Sequence, residues 1–220
     1  MKRYVSSVFL FLFFLYSTAV FSNAQTNTVK SELTFEQIFN KTKNLNPEMK
    51  DCQAKLAIKI NAKTFITIRL NLDGDFYYKA KDKFKINLKR TPAYLQKHPQ
   101  IFSWQLPNTK EYNTSVDAKE DINGAECYVL TLKPKQEMGD LLLNKIWINA
   151  LNFTIAKQSF NYKNNGYIEV FQNYKKINDF WIFDNIKANF SFPKIRLNAE
   201  VNAFYSDYKF NQNLPDSLFK

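Results

Sequence analysis

Hydrophobic and polar positions alternate throughout residues 145–192, KIWINALNFTIAKQSFNYKNNGYIEVFQNYKKINDFWIFDNIKANFSF. Turn-forming residues interrupt the alternation at 150–152, 164–166 and 178–179. Asparagine, aspartate and glycine tolerate positive φ, so tight turns cost little there, and the stretch predicts four consecutive antiparallel strands. The same period of two recurs upstream. Ala54, Leu56, Ile58 and Ile60 alternate with Lys55, Lys59 and Asn61, and Ile66, Ile68, Leu70 and Leu72 with Thr67, Arg69 and Asn71. One polar face per strand marks antiparallel strands covered on one side. Asp73-Gly74 reads as a hairpin turn leading to Phe76-Tyr77-Tyr78 and then to Phe84, Ile86 and Leu88, which makes 53–89 a four-strand meander. A polar strand follows at 112–122. After the turn signal Asn123-Gly124, Cys127, Val129 and Thr131 alternate with Tyr128, Leu130 and Leu132 until Pro134. The last strand, from Arg196 to Phe210, carries Leu197, Ala199, Val201 and Ala203 on one face.

Helical spacing appears once. Leu33, Phe35, Ile38, Phe39 and Leu45 form a stripe that ends before Asn46-Pro47, with Thr34 or Ser31 as N-cap, predicting an amphipathic helix over 33–45. Two apolar stretches lack strand period. One, at 90–112, is punctuated by Pro92, Pro99 and Pro107, contains Phe102 and Trp104, and fits a short helical piece at 92–104. The other, at 135–144, contains Met138 and Leu142 and fits a loop or single helical turn. The whole pattern predicts a mainly β (α+β) chain. Its about eleven antiparallel strands form a single highly curved sheet, and helices lie against the concave face.

The N-terminus changes the domain picture. Lys2 and Arg3 precede an apolar run from Val8 to Val20, and Ser22-Asn23-Ala24 offers a cleavage site, so residues 1–24 read as a secretory signal peptide. No cysteine lies within 1–25 to direct lipid anchoring. Residues 25–220 are long enough for one domain with a substantial core. The signal takes with it two of the 31 basic residues, leaving 29 against 20 acidic ones and a net charge of +9. Such a charge suits anionic headgroups, glycans or an acidic partner. The lysines are scattered over outward strand positions, and no nucleic-acid motif accompanies them. In an oxidising compartment Cys52 and Cys127 either form one disulfide or remain as two separately buried thiols.

Candidate chemistry is sparse. His98 is the single histidine, and no G-x-S-x-G nucleophile motif accompanies it. The spacing of His, Cys and carboxylates matches no metal site, and Asp73 and Asp75 lack the acidic period of a calcium loop. Glu120-Asp121 and Asp179/Asp184 resemble ordinary turn and edge residues. With four glycines there is no phosphate-cradling loop. Dense aromatics, one-sided strands and apolar stretches that need a sheet favour an apolar guest over bond-breaking, with no cofactor.

Several segments in their order carry a resemblance. They are FYYKAKDKFKI at 76–86, GAECYVLTLKP at 124–134, KIWIN at 145–149, and YSDYKFN at 205–211 followed by LPDSLF at 214–219. Together with a signal peptide running straight into one amphipathic helix, they resemble the LolA-type periplasmic carriers of outer-membrane lipoproteins and their wider superfamily. The resemblance implies an unclosed β-barrel, lidded by helices, around a hydrophobic cavity that receives lipoprotein acyl chains or another lipid. It implies a non-enzymatic, monomeric periplasmic chaperone that takes cargo from an inner-membrane releasing complex and passes it to an outer-membrane acceptor. The alternative is an envelope lipoprotein-sensing or interaction module with the same fold and a filled core. Cavity candidates are Leu56, Ile58, Ile66, Ile68, Leu70, Trp147, Ile155 and Phe160. Lid candidates are Phe35, Ile38, Phe39, Phe102, Trp104 and Leu142. The family's Arg-Pro pair, whose arginine helps hold the lid, is replaced by Ala80 and Lys81, with Lys79, Lys81 or Arg69 as substitutes.

Overall fold

The computed structural model describes residues 33–80, 83–88 and 106–219. The helical stripe forms α1, Phe35–Lys43. Thr34 caps it reciprocally: its Oγ1 accepts from the Gln37 amide at 3.3 Å while its own amide donates to Gln37 Oε1 at 2.8 Å. Past the helix, Asn46 holds the chain to a distant turn, because its Nδ2 donates to the Trp181 carbonyl and its Oδ1 accepts from the Trp181 amide, both at 2.8 Å. No helix among the described residues is long and apolar enough to cross a membrane.

The rest is one antiparallel sheet: β1 Asp51–Lys63, β2 Thr67–Lys79, β3 Lys83–Leu88, β4 Tyr112–Val116, β5 Glu120–Ile122, β6 Ala125–Pro134, β7 Leu141–Asn149, β8 Ile155–Tyr162, β9 Tyr167–Ile177, β10 Phe180–Phe192 and β11 Leu197–Phe210. Their order is β3-β2-β1-β11-β10-β9-β8-β7-β6-β4, with β5 also on β6. The sheet curls, yet its end strands β3 and β4 do not pair, so the barrel is unclosed. The four strands expected between 145 and 192 are β7 to β10, and Asn164, Asn165, Asn178 and Asp179 hold positive φ at their turns.

The total of eleven strands hides two compensating differences. The first is that Asp73-Gly74 makes no turn. β2 runs straight through it, and the hairpin lies at 64–66, so the first meander has three strands. The second is that the polar strand at 112–122 divides into β4 and β5. Of the stretch at 135–144, residues 135–140 form the loop, one of the two forms expected there, and Leu141 already begins β7.

Register shows which residues share a face. One cross-strand row runs Leu70, Ile60, Val201, Ala188, Val170, Gln158, Ile146, Leu130 and Val116, from β2 to β4. All the apolar strand positions in phase with this row face inward. Asp207, at a φ of 52°, is an extra residue in β11 that returns Tyr208 and Phe210 to the inner face. At the start of β1, the buried Asp51 carboxylate accepts the Gln212 and Leu214 amides at 2.7 and 3.1 Å and ties down the C-terminal tail.

Candidate functional site

The inner face is largely apolar, interrupted by the buried Asn144, Gln158 and Gln172, and its apolar residues divide into two clusters. In the first, α1 lays Phe35 and Ile38 over Tyr112, Tyr128, Leu130, Leu132, Ile146, Ile148 and Ile155. Phe35 and Phe39 stack at 5.5 Å, and the Lys41 ammonium lies 4.5 Å over the Phe153 ring, fastening the helix at its C-terminal half. This half of the sheet is covered by protein.

The second cluster spans β1, β2, β9, β10 and β11 and is filled only toward one end. There Tyr205 packs against Phe76 at 5.5 Å and Phe183 at 5.3 Å, and Phe183 meets Tyr174 at 5.0 Å. The Tyr208 hydroxyl donates to the Phe183 carbonyl at 2.9 Å, and the Tyr174 hydroxyl to Gln172 Oε1 at 2.8 Å. Burial pushes the phenols of Tyr174, Tyr205 and Tyr208 well up from the usual tyrosine value. Toward the other end the cover thins. Along β2, exposure on the inner face climbs from 0 % at Phe76 to 37 % at Leu70 and 39 % at Ile68. The inner face therefore opens toward the 64–66 turn.

A cavity of about 350 Å³ lies between the two clusters, lined by Phe39, Leu45, Met49, Tyr78, Leu106 and Pro107 together with Thr42, Lys43, Asn46 and Asn108, so its wall is mixed and more polar than apolar. Its size falls at the low end of small-molecule sites. A larger concavity on the outer face, 590 Å³ between Lys55, Asp75, Tyr77, Asp207 and Lys209, has charged walls. Two buried amide atoms on the inner face, Asn144 Oδ1 and Gln172 Nε2, have no hydrogen-bond partner among the described residues.

The sequence candidates distribute unevenly over this geometry. Leu56 and Ile58 are buried in the second cluster, Phe160 packs partly buried against it, and Ile68 and Leu70 line its open part. Ile155 is buried under α1. Two candidates are elsewhere. Ile66 is in the hairpin turn, 67 % exposed. Trp147 faces outward with Cys127 and Val129, its Nε1 donating to Glu120 Oε2 at 2.8 Å and the Lys157 ammonium 4.8 Å from its ring. Its neighbours Ile146 and Ile148 hold the inward phase, so alternation turns Trp147 out.

Of the lid candidates, Phe35, Ile38 and Phe39 belong to α1. Leu142 does not: it sits at a register shift of β7 between Leu141 and Leu143 and is 48 % exposed. Phe102, Trp104 and the helical piece expected at 92–104 lie outside the described residues, as do the signal peptide, His98 and Lys81. Cys52 and Cys127 are not paired. They are free, buried thiols in different clusters. Lys79 and Arg69 occupy outward positions of β2 and cannot reach an inner lid. Lys79 instead donates to the Leu214 carbonyl at 2.7 Å and pairs with Asp216 at 2.8 Å, holding the tail. Met49 and Tyr78 line the cavity without having been singled out, and Leu106, at the end of the apolar excursion at 92–106, lines it too. Met49 follows Pro47 in a segment with no periodicity, so the sequence carries no signal for it.

Available polar groups are engaged structurally. Glu120 holds Trp147, Asp121 accepts the Gly124 amide at 2.7 Å, Asp179 pairs with Lys176 and Asp184 with Lys175. Among the described residues no group of three or more His, Cys, Asp or Glu side chains could hold a metal.

Solved structures share this architecture. A DUF1329 family protein from Desulfovibrio piger superposes with a TM-score of 0.62 at 14% identity, covering 84% of this chain and 96% of its own. A LolA superfamily protein from Nitrosomonas europaea gives 0.59 at 16% identity, over 86% and 98%. A domain from Vibrio parahaemolyticus named for outer membrane lipoprotein sorting gives 0.57 at 14% identity, over 83% and 94%. At these identities the likeness is one of fold. No curated protein matches the sequence. A family model described as "-like: Uncharacterized protein" matches residues 102–220, more than half of the chain. The chain therefore belongs to that family, and its fold is LolA-like.

Proposed function

We propose that this chain is an exported, non-enzymatic carrier or chaperone that holds the acyl chain of a lipid or lipoprotein against its inner face. The observation that carries the proposal is the uneven cover of that face. One half is sealed by α1 and one end is filled by rings, while beyond the rings Leu70 and Ile68 stay 37 % and 39 % exposed without a complete partner among the described residues, and a separate cavity lies beside Tyr78. Each acyl methylene buried there contributes about 0.8 kcal/mol, so a short length of chain gives useful affinity without any catalytic group. The shared fold of the lipoprotein-sorting domain supports the same class of cargo. In this proposal residues 1–24 direct export, residues 25–220 act as one monomeric domain in the periplasm, and an inner-membrane donor and an outer-membrane acceptor load and unload it.

The test is mass spectrometry of solvent extracts from natively purified protein, paired with uptake of a fluorescent fatty acid. We expect co-purifying lipid and saturable uptake. Met49→Trp, which fills the cavity, lowers uptake roughly tenfold, the loss of a few buried methylenes, while leaving the far-ultraviolet circular dichroism unchanged. Lipid-free protein that also takes up no fatty acid sinks the proposal. That outcome favours an envelope-sensing module, a reading supported by the aromatic packing of Phe76, Tyr174, Phe183 and Tyr205, which already fills part of the barrel.

A further inference from the structure

We infer that the adjacent turns at 64–66 and 193–196 form a tip that docks on an anionic lipid bilayer and presents the open end of the inner face to it. Three large apolar side chains crown these turns, Phe65 at 81 %, Ile66 at 67 % and Ile195 at 61 % exposure. Two separate loops bring them together. Lys63 at the end of β1 pairs in register with Asn198 of β11, and the Arg196 guanidinium lies 5.4 Å over the Phe65 ring. Pro193 opens the second turn and Arg196 closes it in the left-handed region, so both loops are short and the second is conformationally fixed.

The charge around the crown has one sign. Lys63, Arg69, Lys194 and Arg196 lie within 63–69 and 193–198, and neither segment contains an aspartate or glutamate. At the neighbouring turn after β8, Lys163 pairs with Glu137 at 3.1 Å and its amide donates to the Asp140 carbonyl at 2.8 Å, so the cations of the tip are those of its own two turns. Apolar tips ringed by cations match a bilayer interface, where the apolar groups enter the headgroup region and the cations meet lipid phosphates. A protein partner fits less well. Three side chains on a convex tip bury far less than a stable protein interface requires, whereas reversible membrane contact needs only a few inserted groups and charge attraction. Ile68 and Leu70 lie directly behind the tip, so docking would bring the open part of the inner face to the lipid surface.

The experiment is co-sedimentation with vesicles of mixed phosphatidylglycerol and phosphatidylcholine, with vesicles of phosphatidylcholine alone as comparison. Wild-type protein partitions onto the anionic vesicles, and salt releases it. Phe65→Trp gives a blue-shifted emission on those vesicles. The double variant Phe65→Ser, Ile195→Ser loses binding. Lys194→Gln with Arg196→Gln lowers affinity roughly thirtyfold, about fivefold for each charge. Leu151→Ser changes nothing, although Leu151 is 92 % exposed, because its turn is at the opposite end of the strands. All these positions are exposed, and thermal midpoints near that of the wild type check that the variants fold. Wild-type protein that stays in solution, an emission spectrum of the Phe65→Trp variant unshifted by anionic vesicles, equal binding to neutral vesicles, or a Leu151 variant as impaired as the tip variants overturns the inference. The inference stands on exposure and charge at the tip. A protein that binds vesicles yet takes up no fatty acid keeps it and removes the carrier proposal.

Discussion

Cys52 and Cys127 show how little a residue's type says without its surroundings. Both thiols are fully buried. Burial, reinforced by the nearby Asp121 carboxylate, pushes the Cys127 thiol up to about 11, and burial with Asp51 raises Cys52 further. The thiolate is the reactive species, so neither side chain should react with a disulfide reagent in native protein at about pH 8. Denaturant without reductant should then release both thiols of each chain, and a yield of none would mean that the pair is bonded. Trp147 gives a complementary lesson. Its phase was legible, since Lys145 and Asn149 share it and Ile146 and Ile148 oppose it. Size and hydrophobicity suggested an inner position, but period decides the side of a strand. What covers a residue on that side is not a local property, and alternation alone does not expose the Glu120 and Lys157 that surround Trp147.

At the scale of elements, Gly74 marks where turn chemistry misleads. Asp-Gly between alternating runs is a strong hairpin signal. Here the glycine serves a close approach: a Cβ on Gly74 would collide with the Asn87 carbonyl oxygen and lie 2.7 Å from Leu88 Cδ2 on β3. Asp75, beside it, faces outward and pairs with Lys55 at 2.8 Å. Gly74→Ala must shift backbone as well as side chain, so we expect a loss of about 1–3 kcal/mol in urea unfolding. Gly124→Ala has open space and only the strain of a φ of 83°, expected to cost about 1–2 kcal/mol. A neutral Gly74→Ala would show that β3 does not press on β2. The other boundaries were legible because period and turn signal agreed, as at Asn178-Asp179 and at the Thr34 cap. At 64–66 only the period marks a break, between the alternation of 54–61 and that starting at Ile66, and no Gly, Asn or Asp turn signal accompanies it.

For the whole molecule, one-sided strands and their number imply a curled sheet, but the division of its inner face into sealed, filled and open parts comes from packing between residues far apart in sequence. The same division sets the response to pH. On the acid side, hydrogen bonds from Lys175 hold Asp184 below its ordinary value, those from Lys187 and Asn202 do so for Glu200, and those from Lys79 and Lys83 for Asp216. Burial works to raise Asp117, but hydrogen bonds from Lys145 and Thr131 outweigh it and leave it lowered. Groups depressed in the folded state stabilise it above their unfolded values and lose that contribution as pH falls through the folded ones. All four carboxylates are more than a third exposed, so solvent screens them and the acid limb should be shallow. On the alkaline side Tyr174, Tyr205 and Tyr208 are raised above the ordinary 10.0 by burial. The unfolded chain ionises these phenols first, so their contribution is complete below about pH 10 and is lost as pH rises beyond it. The rings are packed against one another with little water to relax the charge. The two buried thiols, also raised above their ordinary 9.0, begin this loss earlier, so stability should be flat between about pH 5 and 8, decline gently in acid and fall steeply in alkali. Urea midpoints across the range measure this, and phenolate absorbance should rise in step with unfolding. Full titration of every tyrosine while the circular dichroism stays native would mean that the ring cluster admits water, and the filled end of the barrel would then be open as well.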